Sequence, residues 1–199
     1  ALGYNPGDEI ITVSNSFIAT CGAIAYSGQI PKLVDVGDDL NIDIKLLQKK
    51  ITKKTKAIMP VHYGGDTGNL KKIYSFAKKF KLRVIEDASH AFGSYYNNKL
   101  VGSFGDIVCF SFDGIKNITS GEGGCIVSNN KKILKFISDA RLLGVSKESE
   151  KRYSGDRNWI FDVKNQGWRF HMSNIMAAIG ISQFKKINKI SKYRQKLAK

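Results

Sequence analysis

The sequence predicts an α/β domain on a largely parallel sheet, because short apolar, β-branched runs alternate with amphipathic stretches along the chain. Composition agrees: 42% of the 199 residues are hydrophobic, an ordinary globular value in a chain long enough for one sizeable core. No repeat or low-complexity segment interrupts the alternation.

The elements follow in order. Gly7 ends an Asn-Pro-Gly turn, Ile10 to Val13 reads as a strand, and Phe17 to Tyr26 as a helix rich in Ala and Ile. Lys32 to Val36 is a second strand and Ile44 to Ile51 a second helix. Lys56 to His62 is a strand running to the Gly64-Gly65 turn. Leu70 to Phe80 is a helix whose apolar face is Ile73, Phe76, Ala77 and Phe80, and Leu82 to Glu86 is the next strand. Ile107 to Phe112 and Cys125 to Ser128 are further strands, joined by a long polar, glycine-bearing loop of the kind that holds sites. Lys131 to Leu143 is helical in period, Ser146 to Gly167 reads as an irregular ordered loop rich in charge and aromatics, and Ser173 to Ala198 as one long helix.

The formal net charge of +15 raises a nucleic-acid hypothesis. The lysines are dispersed over helix faces instead, as at Lys71, Lys72, Lys78, Lys79 and Lys81, and no recognition motif accompanies them, so no nucleic-acid partner is expected. No apolar run reaches the roughly 18 residues of a membrane span, and ALGYNPGDEI lacks the features of a secretory signal. The chain is therefore expected to be soluble, cytoplasmic and without a membrane partner. Cys21, Cys109 and Cys125 are odd in number and lack CxxC spacing, which reads as buried, reduced thiols.

Two residues carry the chemical reading. Asp87 ends the stretch LRVIED, where α/β sheets bind ligands, although a helix cap explains a strand-end aspartate equally well. Lys116, in FSFDGIKNITSGEGG, lies beyond an apolar strand and before a glycine-rich turn, so its amine can enter a pocket. A carboxylate followed by an amine suits pyridoxal 5′-phosphate (PLP) chemistry, which needs a lysine for the cofactor aldehyde and an acid for the ring nitrogen. Other readings stand beside these. Phe17 suits a core position, Ser111 a strand-end hydroxyl without a ligand, His171 a satisfied loop histidine; His62, His90 and Cys109 lack any zinc spacing, and no metal is expected.

The chain resembles the DegT/DnrJ/StrS family of sugar aminotransferases, within the fold-type I, aspartate-aminotransferase-like superfamily. The resemblance rests on PGDEIITVSNSFIAT, PKLVDV, TKKTKAIMPVHYGG, VIEDASHAFGSYYNNKLVGSFGDIVCFSF, KNITSGEGG and HMSNIMAAIGISQF, and so covers nearly the whole chain. It implies a fold-type I large domain, a mostly parallel mixed sheet flanked by helices in three layers, over residues 1–199. It implies a homodimer that uses PLP and glutamate to aminate a nucleotide-diphosphate keto-sugar for surface polysaccharide, O-antigen or lipopolysaccharide. Asp87 would face the pyridine nitrogen, His90 the ring 3-hydroxyl, Phe17 the flat face and Ser111 the phosphate, with Lys116 as the Schiff-base lysine and proton shuttle. Lys116 separates the chain from related sugar dehydratases, which carry histidine there.

The chain departs from the family pattern near its end. Where many relatives carry Gly-x-Asn-x-Arg-Met, here the stretch is GWRFHMS, which puts Arg169 in the place of an asparagine that reaches the neighbouring subunit's cofactor phosphate. Arginine can serve that role. The resemblance further implies flanking segments: a Ser/Gly-Thr-x-Ala-Leu phosphate loop ending at Ala1-Leu2, and a small domain after the last helix. On that reading the chain is a large domain truncated at both ends, expected to bind PLP poorly in isolation; the alternative is an inactive family member or a regulatory or interaction protein.

Overall fold

The computed structural model describes residues 1–145, 162–163 and 165–198. Two compact units divide the chain: Gly3–Asn129 with Ile175–Lys199, and Ala1–Leu2 with Asn130–Asn174. The first holds a six-stranded sheet formed by β1 (Glu9–Val13), β2 (Ile30–Val34), β3 (Thr55–Met59), β4 (Arg83–Asp87), β7 (Ile107–Ser111) and β8 (Gly124–Ser128), in the order β2-β1-β3-β4-β7-β8. Every neighbouring pair is parallel except β7 with β8. Helices α1 (Ile18–Tyr26), α2 (Ile44–Lys50) and α3 (Leu70–Lys79) make the crossovers.

Burial follows from this topology. All five residues of β1 are buried, as expected of a parallel strand covered on both faces. Ile11 and Val13 join Val34, Ile58 and Val84 of the sheet, with Leu47 of α2 and Leu70, Ile73 and Ala77 of α3, in one core cluster. A second cluster gathers Ala88, Ala91, Val101, Val108 and Phe110.

The differences from the expected elements have local causes. Strand β2 begins two residues early because its ladder with β1 starts at Glu9 opposite Ile30, and Val36 leaves it to bridge Ile42. Strand β3 stops before Pro60, which has no N–H to give the ladder, and Val61 makes only an isolated bridge to Asp87. The expected last helix is two, α5 (Asn174–Phe184) and α6 (Ile187–Leu197). Between them Lys186 N–H turns back to Gln183 O, a tighter bond than the helical one. Phe184 lies edge-on to Phe92, and Ile187 lies against Gly93. A short hairpin, β5 (Tyr95–Tyr96) and β6 (Lys99–Leu100), adds an element absent from the sequence reading.

In the second unit, helix α4 (Lys131–Ala140) is capped by Asn130, whose side chain accepts from Lys132 and Ile133 N–H. It ends three residues before the expected Leu143, which takes a left-handed φ of 60°. Most of the expected Ser146 to Gly167 loop, with Tyr153, Trp159 and Phe161, lies outside the described residues.

Candidate active site

The site is built where parallel strands end. Asp87 closes β4 and Ser111 closes β7, and the parallel register of these neighbours, with Asp87 opposite Cys109, puts both at one end of the sheet. That is the end at which open α/β sheets offer a crevice. The loop after β7 returns as antiparallel β8, with Phe112 N–H donating to Gly123 O, so Lys116 also belongs to this end. The fold therefore brings the candidate amine and acid to the same edge.

The Asp87 carboxylate is densely engaged. Its Oδ2 accepts from Thr20 Oγ1 at 2.7 Å, and its Oδ1 accepts from Ser89 N–H at 3.2 Å and Ser89 Oγ at 2.5 Å. The bonds from Ser89 are those of an Asx turn, and turns rather than an α-helix follow, so Asp87 is not a helix cap. A carboxylate offers about four lone-pair positions. Three are used here.

His90 lies three residues on. Gly64 N–H donates to His90 Nδ1 at 3.4 Å, which leaves the proton of the neutral ring on Nε2. Tyr63 packs edge-on to the imidazole with centroids 6.2 Å apart. The imidazole is pushed below the ordinary histidine range, first by burial and then by the Lys116 ammonium, against an opposing pull from the Asp87 carboxylate. Lys116 and Asp87 thus both act on one ring.

Hydrogen bonds shape the segment that carries Lys116. Its N–H donates to Asp113 O at 3.1 Å, closing a turn. Asn117 Nδ2 donates to His90 O at 3.2 Å and to Phe92 O at 2.9 Å, so the lysine loop is fastened to the DASHAF segment. Ile118 and Ser120, which follow in the chain, are buried. No ion pair among the described residues engages the half-buried lysine.

The remaining candidates divide between the units. Phe17 stands at the N-cap of α1 and is 76% exposed, the opposite of a core aromatic. Ser111 Oγ accepts from Asp113 N–H at 3.3 Å and keeps its own proton to give. Arg169 belongs to the other unit, where it is exposed and bridges Leu142 through the backbone, while its sequence neighbours Trp168 and Phe170 stack their rings on each other. His171 Nδ1, also there, is buried and has no partner among the described residues. His62 Nε2 pairs with Glu86 at 2.8 Å, and the described residues include no group of three His, Cys, Asp or Glu arranged to hold a metal ion. The three cysteines are unpaired and half-buried.

Thr20, Ser89 and Asn117 were not singled out in the sequence. The signal for Ser89 was its place two residues after Asp87 in an Asx-turn pattern. Thr20 and Asn117 act across 67 and 25 to 27 positions, which no local pattern reveals.

The family model of the DegT/DnrJ/EryC1/StrS aminotransferases matches residues 1–199. SpsC, a spore coat polysaccharide biosynthesis protein of Bacillus subtilis, is 36% identical over 199 residues, all of this chain and 51% of SpsC. PseC of Helicobacter pylori, an aminotransferase of pseudoaminic acid biosynthesis, superposes with a TM-score of 0.85 at 35% identity, over 94% of this chain and 48% of its own. Spr1654 of Streptococcus pneumoniae, in its PMP form, superposes with a TM-score of 0.91 at 27% identity, over 99% of this chain and 55% of its own. The chain spans about half the length of the curated relatives it matches.

Proposed function

The chain belongs to the DegT/DnrJ/EryC1/StrS aminotransferase family, and from that premise we propose that the protein transfers the amine of glutamate to a nucleotide-diphosphate keto-sugar, with PLP as cofactor. The cofactor is the one indicated by the family and by the PMP and PLP forms of Spr1654. The observation that carries the reading is geometric: Asp87 ends its strand with a hydrogen-bonded carboxylate, and Asn117 fastens the loop of Lys116 to the segment that follows Asp87. The residues present fit the cofactor's chemistry: an amine with no ion pair among the described residues, a carboxylate with one lone pair to spare, and an exposed aromatic ring.

Bound there, PLP supplies an electron sink. Lys116 would hold the cofactor through its amine and would serve as the base that carries a proton at the reacting carbon. Asp87 would face the ring nitrogen and favour its protonated form, on which the pull on electrons depends. On this reading His90 would meet the ring hydroxyl, Phe17 would stack on its face, and Ser111 would donate to the phosphate. Arg169 is assigned to the phosphate of a neighbouring subunit's cofactor, as one half of a homodimer. The product would enter surface polysaccharide, O-antigen or lipopolysaccharide synthesis in the cytoplasm. No helix among the described residues is long and apolar enough to cross a membrane.

The test uses the full-length protein with added PLP. The visible band of lysine-bound cofactor should appear, and borohydride reduction followed by peptide mass spectrometry should find the label on Lys116. Lys116→Ala should lose both band and label. A label on another lysine would defeat the site assignment, and absence of any band would defeat the cofactor.

A further inference from the structure

We infer that Thr20 is a positioning residue for the proposed cofactor: its hydroxyl orients the Asp87 carboxylate and ties the helix bearing Phe17 to the strand bearing Asp87. The inference rests on the PLP reading above and concerns a residue outside the assigned set.

Proton counting gives the direction of the bonds. Thr20 Oγ1 lies 2.7 Å from Asp87 Oδ2 and 2.5 Å from Ser16 Oγ. An ionised carboxylate has no proton to give, so the single hydroxyl proton of Thr20 goes to Asp87, and Ser16 must donate to Thr20. A chain Ser16 to Thr20 to Asp87 results, and a donor that itself accepts a hydrogen bond is strengthened. Thr20 is only 5% exposed, so bulk water is a poor substitute for its hydroxyl.

The placement within α1 is equally telling. Thr20 is the third residue of the helix, and its N–H donates to the carbonyl of Phe17. A helical threonine commonly returns its hydroxyl to a carbonyl of the preceding turn. Here it reaches instead across 67 residues to the strand end. Because Ser89 occupies both positions on Oδ1, Thr20 leaves Oδ2 with one lone pair, and that is the position open to a protonated ring nitrogen. Removing the Thr20 hydroxyl frees the carboxylate to turn about its last bond, which weakens its hold on the nitrogen and on nothing else in the cofactor.

That selectivity defines the experiment. Full-length wild type, Thr20→Val and Thr20→Ser are titrated with PLP and with a deaza analogue in which carbon replaces the ring nitrogen. Thr20→Val should weaken PLP binding about tenfold, the scale of one hydrogen bond to a charged group, and analogue binding less than about twofold. Thr20→Ser should stay within about threefold of wild type for both ligands. Should Thr20→Val fail to fold, Ser16→Ala carries the test with the same selectivity and a smaller loss. Equal weakening of both ligands would reduce Thr20 to a structural role, and unchanged PLP binding would remove its role altogether; either overturns the inference. Borohydride labelling of Lys116 in the same samples separates the two readings. A wild type that takes no label refutes the PLP assignment itself, whereas a labelled Thr20→Val protein without selective loss refutes only this inference.

Discussion

His90 shows how one residue reports on its surroundings. It faces a positive group, Lys116, and a negative one, Asp87, while burial disfavours its charged form most of all. Its proton affinity in the folded state is therefore below the ordinary value of 6.5. In the unfolded chain the ring takes its proton as pH falls through 6.5, while the folded ring still resists it, so the unfolded state binds more protons and stability declines. The stability present above 6.5 is lost as pH falls through the lowered folded value. Urea midpoints at about pH 7.5 and about pH 5.5 should fall more steeply toward acid in the wild type than in His90→Gln; parallel slopes would contradict this. At this scale Asp87 and Lys116 were singled out as candidates by their places near strand ends, and His90 through the family resemblance. Thr20 was not, because a hydroxyl in a helix acquires its meaning only when folding carries it to a carboxylate 67 positions away.

At the scale of elements, period and punctuation told most of the story. Helix α3 was read from its apolar spacing, and of the face so read the structure buries Ile73 and Ala77 and half-buries Phe76 and Phe80, with Leu70 buried beside them. Its start is fixed by Asn69, whose side chain accepts from Lys72 N–H at 3.0 Å and satisfies one of the helix's orphan donors. Asn69→Ala should cost about 1 kcal/mol, measured as a lower denaturant midpoint at unchanged slope. A neutral result would mean that water satisfies the first turn as well. The hairpin β5–β6 escaped because its strands are two residues long, too short for alternation to register. Its turn was nonetheless written in the residues: Asn97 and Asn98 both take positive φ, 48° and 60°, as a two-residue hairpin turn of mirror-image type demands, and asparagine tolerates this best after glycine. The break between α5 and α6 left no such mark, since Lys185 and Lys186 are good helix formers and the interruption is a tertiary effect.

The whole molecule shows why the site can be rigid although it sits on loops and strand ends. Beside Asp87 in sequence, Glu86 is fully buried and takes His62 Nε2 at 2.8 Å on one oxygen and Tyr74 O–H at 2.5 Å on the other. Tyr74 oxygen in turn accepts Asp106 N–H at 2.9 Å, and Asp106 forms a two-bond pair with Arg83. This network joins the segment after β3, β4, α3 and the approach to β7, the same elements whose ends present Asp87 and Ser111. Tyr74 is pushed far above the ordinary phenol range, by burial first and then by the Glu86 charge, so it remains a donor at every working pH. Gly105 is the keystone. It holds a positive φ of 95°, and a Cβ there would collide with both Glu86 Oε1 and Tyr74 Oη, the two atoms that the network cannot move without leaving a buried charge unsatisfied. Gly105→Ala should therefore cost roughly 3 kcal/mol, combining backbone strain, overpacking and a disturbed buried carboxylate. Gly114→Ala is the matched control: its Cβ would meet nothing within 4 Å and its φ is not positive, so it should stay within about 0.5 kcal/mol of the wild type. Urea unfolding of the two variants separates a glycine required by shape from one that is merely present, and similar stabilities would show that the network yields where the packing says it cannot.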